Sequence, residues 1–311
     1  MKTCVSLCLA LLMLGSHVSA QPGQPKQKVR TVTIPISIFT KKELKERQTE
    51  EYVQVQTITL KEDKEDQQIL SIRSVADAPL SIAILIQEDL SLGFNNQLQD
   101  IREFIRALPR GTRVMTAYMR AGSPLVVQRF TEDLDAAAKS LRITSGSASS
   151  APRSPYDALA DILPRFDATP AGRRAVLLFS DGVDSSQGFS LASVTQSAAL
   201  DSAVLKAQRR SVAIYSFYWP ADGSRGNSLI ALGGQGALEK LSEQTGGRSF
   251  ESGLTEPVSF TPYFKDLSMT LGRQFALTYL STHMKKGYHS IVVTSTSPDI
   301  RIEHAKGYYY R

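Results

Sequence analysis

Residues 79–91, PLSIAILIQEDLS, constrain this chain more than any other stretch. The run Ile82-Ala83-Ile84-Leu85-Ile86 is short and rich in isoleucine, so it reads as a strand buried on both faces. It stops abruptly at Gln87, Glu88, Asp89 and Ser91. A second run of the same design, Ala175-Val176-Leu177-Leu178-Phe179, stops at Ser180, Asp181, Gly182 and Asp184. In open α/β sheets, ligands sit beyond the carboxyl ends of the strands. Two buried strands that both end in acidic and hydroxyl groups therefore point to one shared site above a sheet.

The surrounding pattern supports alternating strands and helices from residue 79 onward. Leu98, Ile101, Phe104, Ile105 and Leu108 share one helical face over residues 95–108, and Pro109-Arg110-Gly111 ends that helix. Residues 114–119 and 125–130 are expected to form an antiparallel hairpin, after which Thr131 caps a helix. Further helices are expected over 156–166, 200–209, 237–244 and 257–273, with a strand at 212–218. Before this region, Val32, Ile34, Ile36 and Ile38 alternate with polar residues, and Pro35 suggests an edge strand. Residues 52–60 and 67–72 repeat that signal around a polar turn at 61–66, and 274–281, 290–294 and 300–310 read as strands again.

The resulting division is a leader at 1–20, a linker at 21–28, an N-terminal β unit at 29–78, an α/β domain at 79–273 and a C-terminal β extension at 274–311. The leader has Lys2, an apolar core over residues 5–14 and the small-residue run Val18-Ser19-Ala20, which together read as a cleaved secretory signal. Both cysteines, Cys4 and Cys8, lie within it, so the mature chain is expected to have neither disulfide nor thiolate chemistry. No later stretch is long and apolar enough for a membrane span. The formal net charge of +6 comes from scattered residues, and the densest run, KKELKERQTEE, mixes both signs, which argues against nucleic-acid binding.

In order along the chain, PLSIAILI with its acidic and hydroxyl cluster, RALPRGTRV, SPYDAL, RRAVLLFSDGVD and LEKLSEQTGGRSF resemble a von Willebrand factor type A domain. The closer resemblance is to the secreted Acidobacteria-type variant, where a short β unit precedes the domain and a tail like residues 274–311, ending in GYYY, follows it. The resemblance implies an α/β, Rossmann-like, doubly wound and mostly parallel sheet, here with β extensions at both ends. It also implies a metal-ion-dependent adhesion site, whose hard oxygen ligands suit Mg²⁺ or Mn²⁺.

Carried over by position, the family's Asp-x-Ser-x-Ser loop falls on Gln87, Asp89 and Ser91. Its Thr falls on Arg153, beside Ser154, and its Asp-Gly falls on Asp181-Gly182. The resemblance thus offers Asp89, Ser91 and Asp181 as metal ligands, lined by Gln87, Glu88, Arg153, Ser154 and Asp184. A register two residues later, Asp89-Leu90-Ser91, restores Asp-x-Ser at the cost of a longer strand. In the other register Gln87 is a weak ligand, and the Arg153 guanidinium can place its own charge where a cation would sit, pairing with Asp181 or Asp89.

The expected function is an exported, non-enzymatic protein-binding module of a bacterial cell envelope, secreted or periplasmic, with a degenerate adhesion site and no cofactor. The alternative is an Mg²⁺- or Mn²⁺-dependent adhesion module using Asp89, Ser91 and Asp181. A secreted hydrolase is the remaining class, but Ser180 and Ser91 lack a nucleophile elbow and an evident base. The expected contact surface comprises the loops at 87–96, 145–154, 181–190 and 219–234. His283 and His289 flank Lys285-Lys286-Gly287 and read as exposed turn residues rather than a paired metal site. Trp219, with Tyr215, Phe217 and Tyr218, reads as core and rim packing at a strand end.

Overall fold

A computed structural model describes residues 28–40, 58–74, 78–146, 154–170, 173–186, 197–221, 228–253 and 255–310. The expected leader with both cysteines, most of the linker, and Arg153 lie outside these residues. Among the described residues no helix is long and apolar enough to cross a membrane.

The run at the centre of the sequence is strand β4, Leu80–Gln87, and all eight of its residues are buried. It lies in a six-stranded sheet with β5 (Arg113–Arg120), β6 (Ser123–Thr131), β7 (Arg173–Ser180), β8 (Val212–Tyr218) and β9 (Ser249–Phe250). The order is β6-β5-β4-β7-β8-β9. Strands β5, β4, β7, β8 and β9 run parallel, while β6 returns antiparallel against β5. The sheet is therefore mixed, because the two-residue turn at Ala121-Gly122, both with positive φ, folds β6 straight back.

Alternate residues of β4 and β7 serve opposite faces. Ile82, Ile84, Ile86, Leu177 and Phe179 pack with α1 (Leu98–Arg106) and α6 (Thr261–Gly272). Ala83, Leu85, Val176 and Leu178 pack with α3 (Pro155–Ile162), α4 (Ala198–Arg209) and α5 (Ser228–Thr245). Full burial of each isoleucine stabilises the fold by about 1.5–3 kcal/mol. Helices on both faces explain why these strands are continuous apolar runs and not alternating ones.

Several boundaries move for local reasons. The first expected helix begins as a 3-10 turn at Leu92–Gln97 before α1. Asp133, not Thr131, caps the short α2, Leu134–Lys139, by accepting from the amide of Ala136 at 2.9 Å. Thr131 instead accepts from the amide of Asp133. Helix α5 starts nine residues before the expected Ala237, running through Gly233, Gly234 and Gly236.

The flanking β segments come together in one seven-stranded antiparallel sheet. Its members are β1 (Arg30–Thr40), β2 (Ile58–Glu62), β3 (Glu65–Ser74), β10 (Gln274–Ser281), β11 (Gly287–Ser295), β12 (Ile300–His304) and β13 (Gly307–Tyr310). The order is β12-β1-β10-β3-β2-β11-β13. Strand β1 thus lies between two neighbours, but β12 pairs only with Ile36 to Thr40. The Ile38 amide points to the β10 side, so by alternation the Pro35 nitrogen faces the β12 side, beyond the end of that ladder. Val32, Ile34, Ile36, Leu60, Leu277, Tyr279, Ile291 and Val293 form this sheet's own core. Arg248 pairs with Glu303 at 2.6 Å between the two sheets, and Arg209 of α4 stacks 4.2 Å from the Tyr309 ring centre.

Candidate functional site

The strand order places the candidate site. From β4 the chain steps to β5 on one side, and β7 follows on the other, so the carboxyl ends of β4 and β7 flank the point where the order reverses. In the parallel register Ile86 sits beside Phe179, which brings Gln87 beside Ser180.

Gln87 is 2% exposed. Its Oε1 accepts from the Ser180 hydroxyl at 2.6 Å and from the Asp181 amide at 3.2 Å. A backbone amide can only donate, so this contact fixes which way the carboxamide points. Its Nε2 is left buried with no hydrogen-bond partner among the described residues, as is the hydroxyl of Ser154. Asp181 is also buried, and its Oδ1 accepts from the amide of Val183 at 3.1 Å. The Asp181-Gly182 turn has positive φ at Gly182 and presses against Gly234 of α5.

Two tyrosines register the electrostatics of this pocket. Burial pushes the Tyr156 phenol well above its usual range, and the Asp181 and Asp184 carboxylates add to that. Tyr156 therefore stays protonated and donates to the Gly182 carbonyl at 2.6 Å. Burial, then Asp181 and Glu251, push Tyr218 up to about 12.

The remaining expected residues turn to separate tasks. Ser91 donates to Glu256 Oε1 at 2.6 Å and accepts from Trp219 Nε1 at 2.8 Å. Its amide donates to the Pro220 carbonyl, and Leu90 bridges Ala221, so the segment after β4 is drawn toward the end of β8. Glu88 binds Arg120 through Nε at 2.6 Å and Arg142 at 2.7 Å. Burial opposes ionisation of Glu88, but the hydrogen bonds from the two arginines outweigh it and hold the carboxyl below its usual range. Asp184 accepts from the amide and hydroxyl of Ser186 and from the hydroxyl of Ser197, closing its own loop. Asp89 is 6% exposed in the turn between Glu88 and Leu90. The structure thus joins Gln87, Ser180 and Asp181 and sends Ser91, Glu88 and Asp184 to neighbours of their own. Of the expected contact loops, residues 147–153, 187–190 and 222–227 lie outside the described residues.

Reading the sequence missed four partners. Glu256 is 165 positions from Ser91, and nothing local marks it. Arg120 and Arg142 look like ordinary surface charges until the hairpin and the turn after α2 bring them to Glu88. Asp63 joins the two histidines of the C-terminal strands, and His289 is 4% exposed. His289 is not the exposed turn residue expected, because β11 packs it under the β2–β3 turn.

No family model matches the sequence, and no curated protein does. Among solved structures the chain is similar to von Willebrand factor type A domain proteins. One is an aerotolerance-related membrane protein of Bacteroides fragilis, at 14% identity and TM-score 0.44, over 62% of this chain and 98% of that one. Another is a von Willebrand factor type A protein from Catenulispora acidiphila, at 11% identity and TM-score 0.44, over 84% of this chain and 76% of that one. A third is proximal thread matrix protein 1 of the mussel byssus with a zinc-occupied adhesion motif. It is 12% identical, with a TM-score of 0.44, over 69% of this chain and 50% of that one.

Proposed function

We propose that this chain is a non-enzymatic, exported protein-binding module of type A design, whose binding face is the carboxyl edge of the six-stranded sheet and works without a tightly held Mg²⁺ or Mn²⁺. The observation that carries this reading is the state of Gln87. An octahedral oxygen cage needs carboxylate or hydroxyl oxygens with open lone pairs. At the position where the resemblance calls for a carboxylate, Gln87 offers a neutral amide whose oxygen already accepts from Ser180 and Asp181. Ser91, expected as a ligand on this loop beside Asp89, is occupied by Glu256 and Trp219. The states of Gln87 and Ser91 support a face that works without the family's ion, with Asp89 and Asp181 the carboxylates left to decide it.

The Ser180 hydroxyl donates to an amide and accepts from the Gly182 amide, an arrangement that holds a turn and does not activate a nucleophile. Protein recognition suits the face better, through polar side chains and backbone groups of the loops around it. The test is calorimetric titration of the purified chain with Mg²⁺ and Mn²⁺ beside Asp181→Ala. The expected result is no binding heat and no thermal stabilisation in either. Binding that disappears in Asp181→Ala overturns the proposal and restores a metal-dependent adhesion module with Asp89 as substitute ligand.

A further inference from the structure

We infer that the seven-stranded sheet carries a second, separate metal site, built by Asp63, His283 and His289 for a late first-row divalent ion such as Zn²⁺. These three residues bring one ligand atom each to within 4.8 Å of one another. They come from distant parts of the chain: Asp63 from the tight turn between β2 and β3, His283 from the β10–β11 connection and His289 from β11. Asp63 and Lys64 both adopt positive φ, at 49° and 74°, which folds the turn so that Asp63 faces β11.

Asp63 and His289 are oriented from behind, as ligands of such ions are. His289 Nε2 contacts the Lys285 carbonyl at 2.7 Å, and a carbonyl can only accept, so Nε2 carries a proton. The other ring nitrogen, Nδ1, faces Asp63 Oδ2 at 2.7 Å. Asp63 Oδ1 is held by the Ser290 amide at 2.8 Å, which leaves Oδ2 for the site. An ionised carboxylate also only accepts, so at 2.7 Å the pair shares a proton, and an entering ion takes that proton's place as the two ligand atoms part to about 3.4 Å. By the same reasoning His283 Nε2, 3.1 Å from the Glu62 carbonyl and 3.5 Å from Glu65 Oε2, carries a proton that an entering ion displaces. The described residues bring three ligands together, so the fourth tetrahedral position about Zn²⁺ is left to water.

The surrounding charge favours a cation. Glu62 is fully buried, with one oxygen 3.5 Å from His289 Nδ1 and the other lacking any hydrogen-bond partner among the described residues. Arg30, 3.5 Å from Glu62, is the counter-charge. Imidazole nitrogens combined with carboxylates select Zn²⁺, Ni²⁺ or Cu²⁺ over Mg²⁺. Asp63, His283 and Glu65 reach solvent, which leaves the ion an entry path. A bound ion would tie the β2–β3 turn to the β10–β11 connection, clamping the N-terminal and C-terminal strands together.

The test is titration of the full chain with Zn²⁺, followed by calorimetry and thermal unfolding, with Co²⁺ as a spectroscopic probe. The expected result is one equivalent bound, a raised melting temperature and the strong visible absorption of four-coordinate Co²⁺. His283→Gln is expected to weaken binding at least about tenfold, in line with the loss of one ligand, and Asp181→Ala to leave it unchanged. His289 is buried and its removal disturbs the fold, so the partly exposed His283 and the exposed Asp63, as Asp63→Asn, carry the mutational test. Absence of binding heat and of a melting shift overturns the inference. So does Zn²⁺ binding that survives His283→Gln, or that is lost in Asp181→Ala, since either places the ion elsewhere.

Discussion

At Ser91 a hydroxyl that the sequence suggests as a metal ligand has become a joint between a tryptophan and a glutamate. Ser91→Ala removes the acceptor of the buried Trp219 N–H and the hydroxyl that donates to Glu256. The expected cost is about 1–3 kcal/mol in denaturant unfolding. The emission of Trp219, the chain's single tryptophan, should shift with it. Glu88 makes a prediction in pH. Its folded pKa lies below the unfolded one, so the stability it supplies is fully present above the ordinary glutamate range and is lost as pH falls through the lowered folded value. Glu88→Gln should flatten that part of the acid-stability curve, measured as unfolding free energy against pH. At neutral pH its cost should be no more than about 1–2 kcal/mol, since Arg120 is mostly exposed and returns to water.

At the scale of elements, the contact between the Asp181-Gly182 turn and α5 is the tightest constraint on the site. A Cβ at Gly234 would overlap the Asp181 carbonyl oxygen, whereas one at Gly236 on the same helix meets nothing within 4 Å. Gly234→Ala should therefore lower stability by at least about 1–3 kcal/mol and displace the end of β7. Gly236→Ala should raise stability by about 0.5–1 kcal/mol through helix propensity alone. Comparing their melting temperatures checks both. The same glycines show what the sequence made legible. The central strands were evident because fully buried strands are continuous apolar runs, and both Gln87 and Asp181 followed from where those runs stop. The first half of α5 was not, because SLIALGGQG has weak helix propensity and is held by burial of Ala231 and by the close approach of Gly234 to the Asp181-Gly182 turn. The fates of Ser91 and Glu88 were also hidden, since Glu256, Arg120 and Arg142 reach them only through tertiary contacts, and the Asp63–His289 pairing depends on strand register between distant segments.

At the scale of the molecule, the chain's two ends are interdependent while its middle is not. Strand β1 pairs with β10 and β12, and β3 and β2 pair with β10 and β11, so the seven-stranded sheet exists only when residues 274–310 close onto residues 30–74. Deleting residues 274–311 removes the buried side chains Leu277, Tyr279, Ile291 and Val293. At about 1.5–3 kcal/mol each, that is on the order of 6–12 kcal/mol of burial, comparable to the entire stability of a typical domain. It also uncovers Val32, Ile34, Ile36 and Leu60 on unpaired strands, a template for aggregation. The six-stranded sheet has its own two-faced core and donates no strand to the other, so a fragment of residues 78–273 should fold alone. Its melting temperature should be lower, because the Arg248–Glu303 pair and the Arg209–Tyr309 stack are lost. The expected contrast is cooperative unfolding for 78–273 and aggregation with dye-binding apolar surface for 21–273. Cooperative folding of both fragments would show that the N-terminal strands find a core without the C-terminal ones, and the flanking segments would then be two separate β units after all.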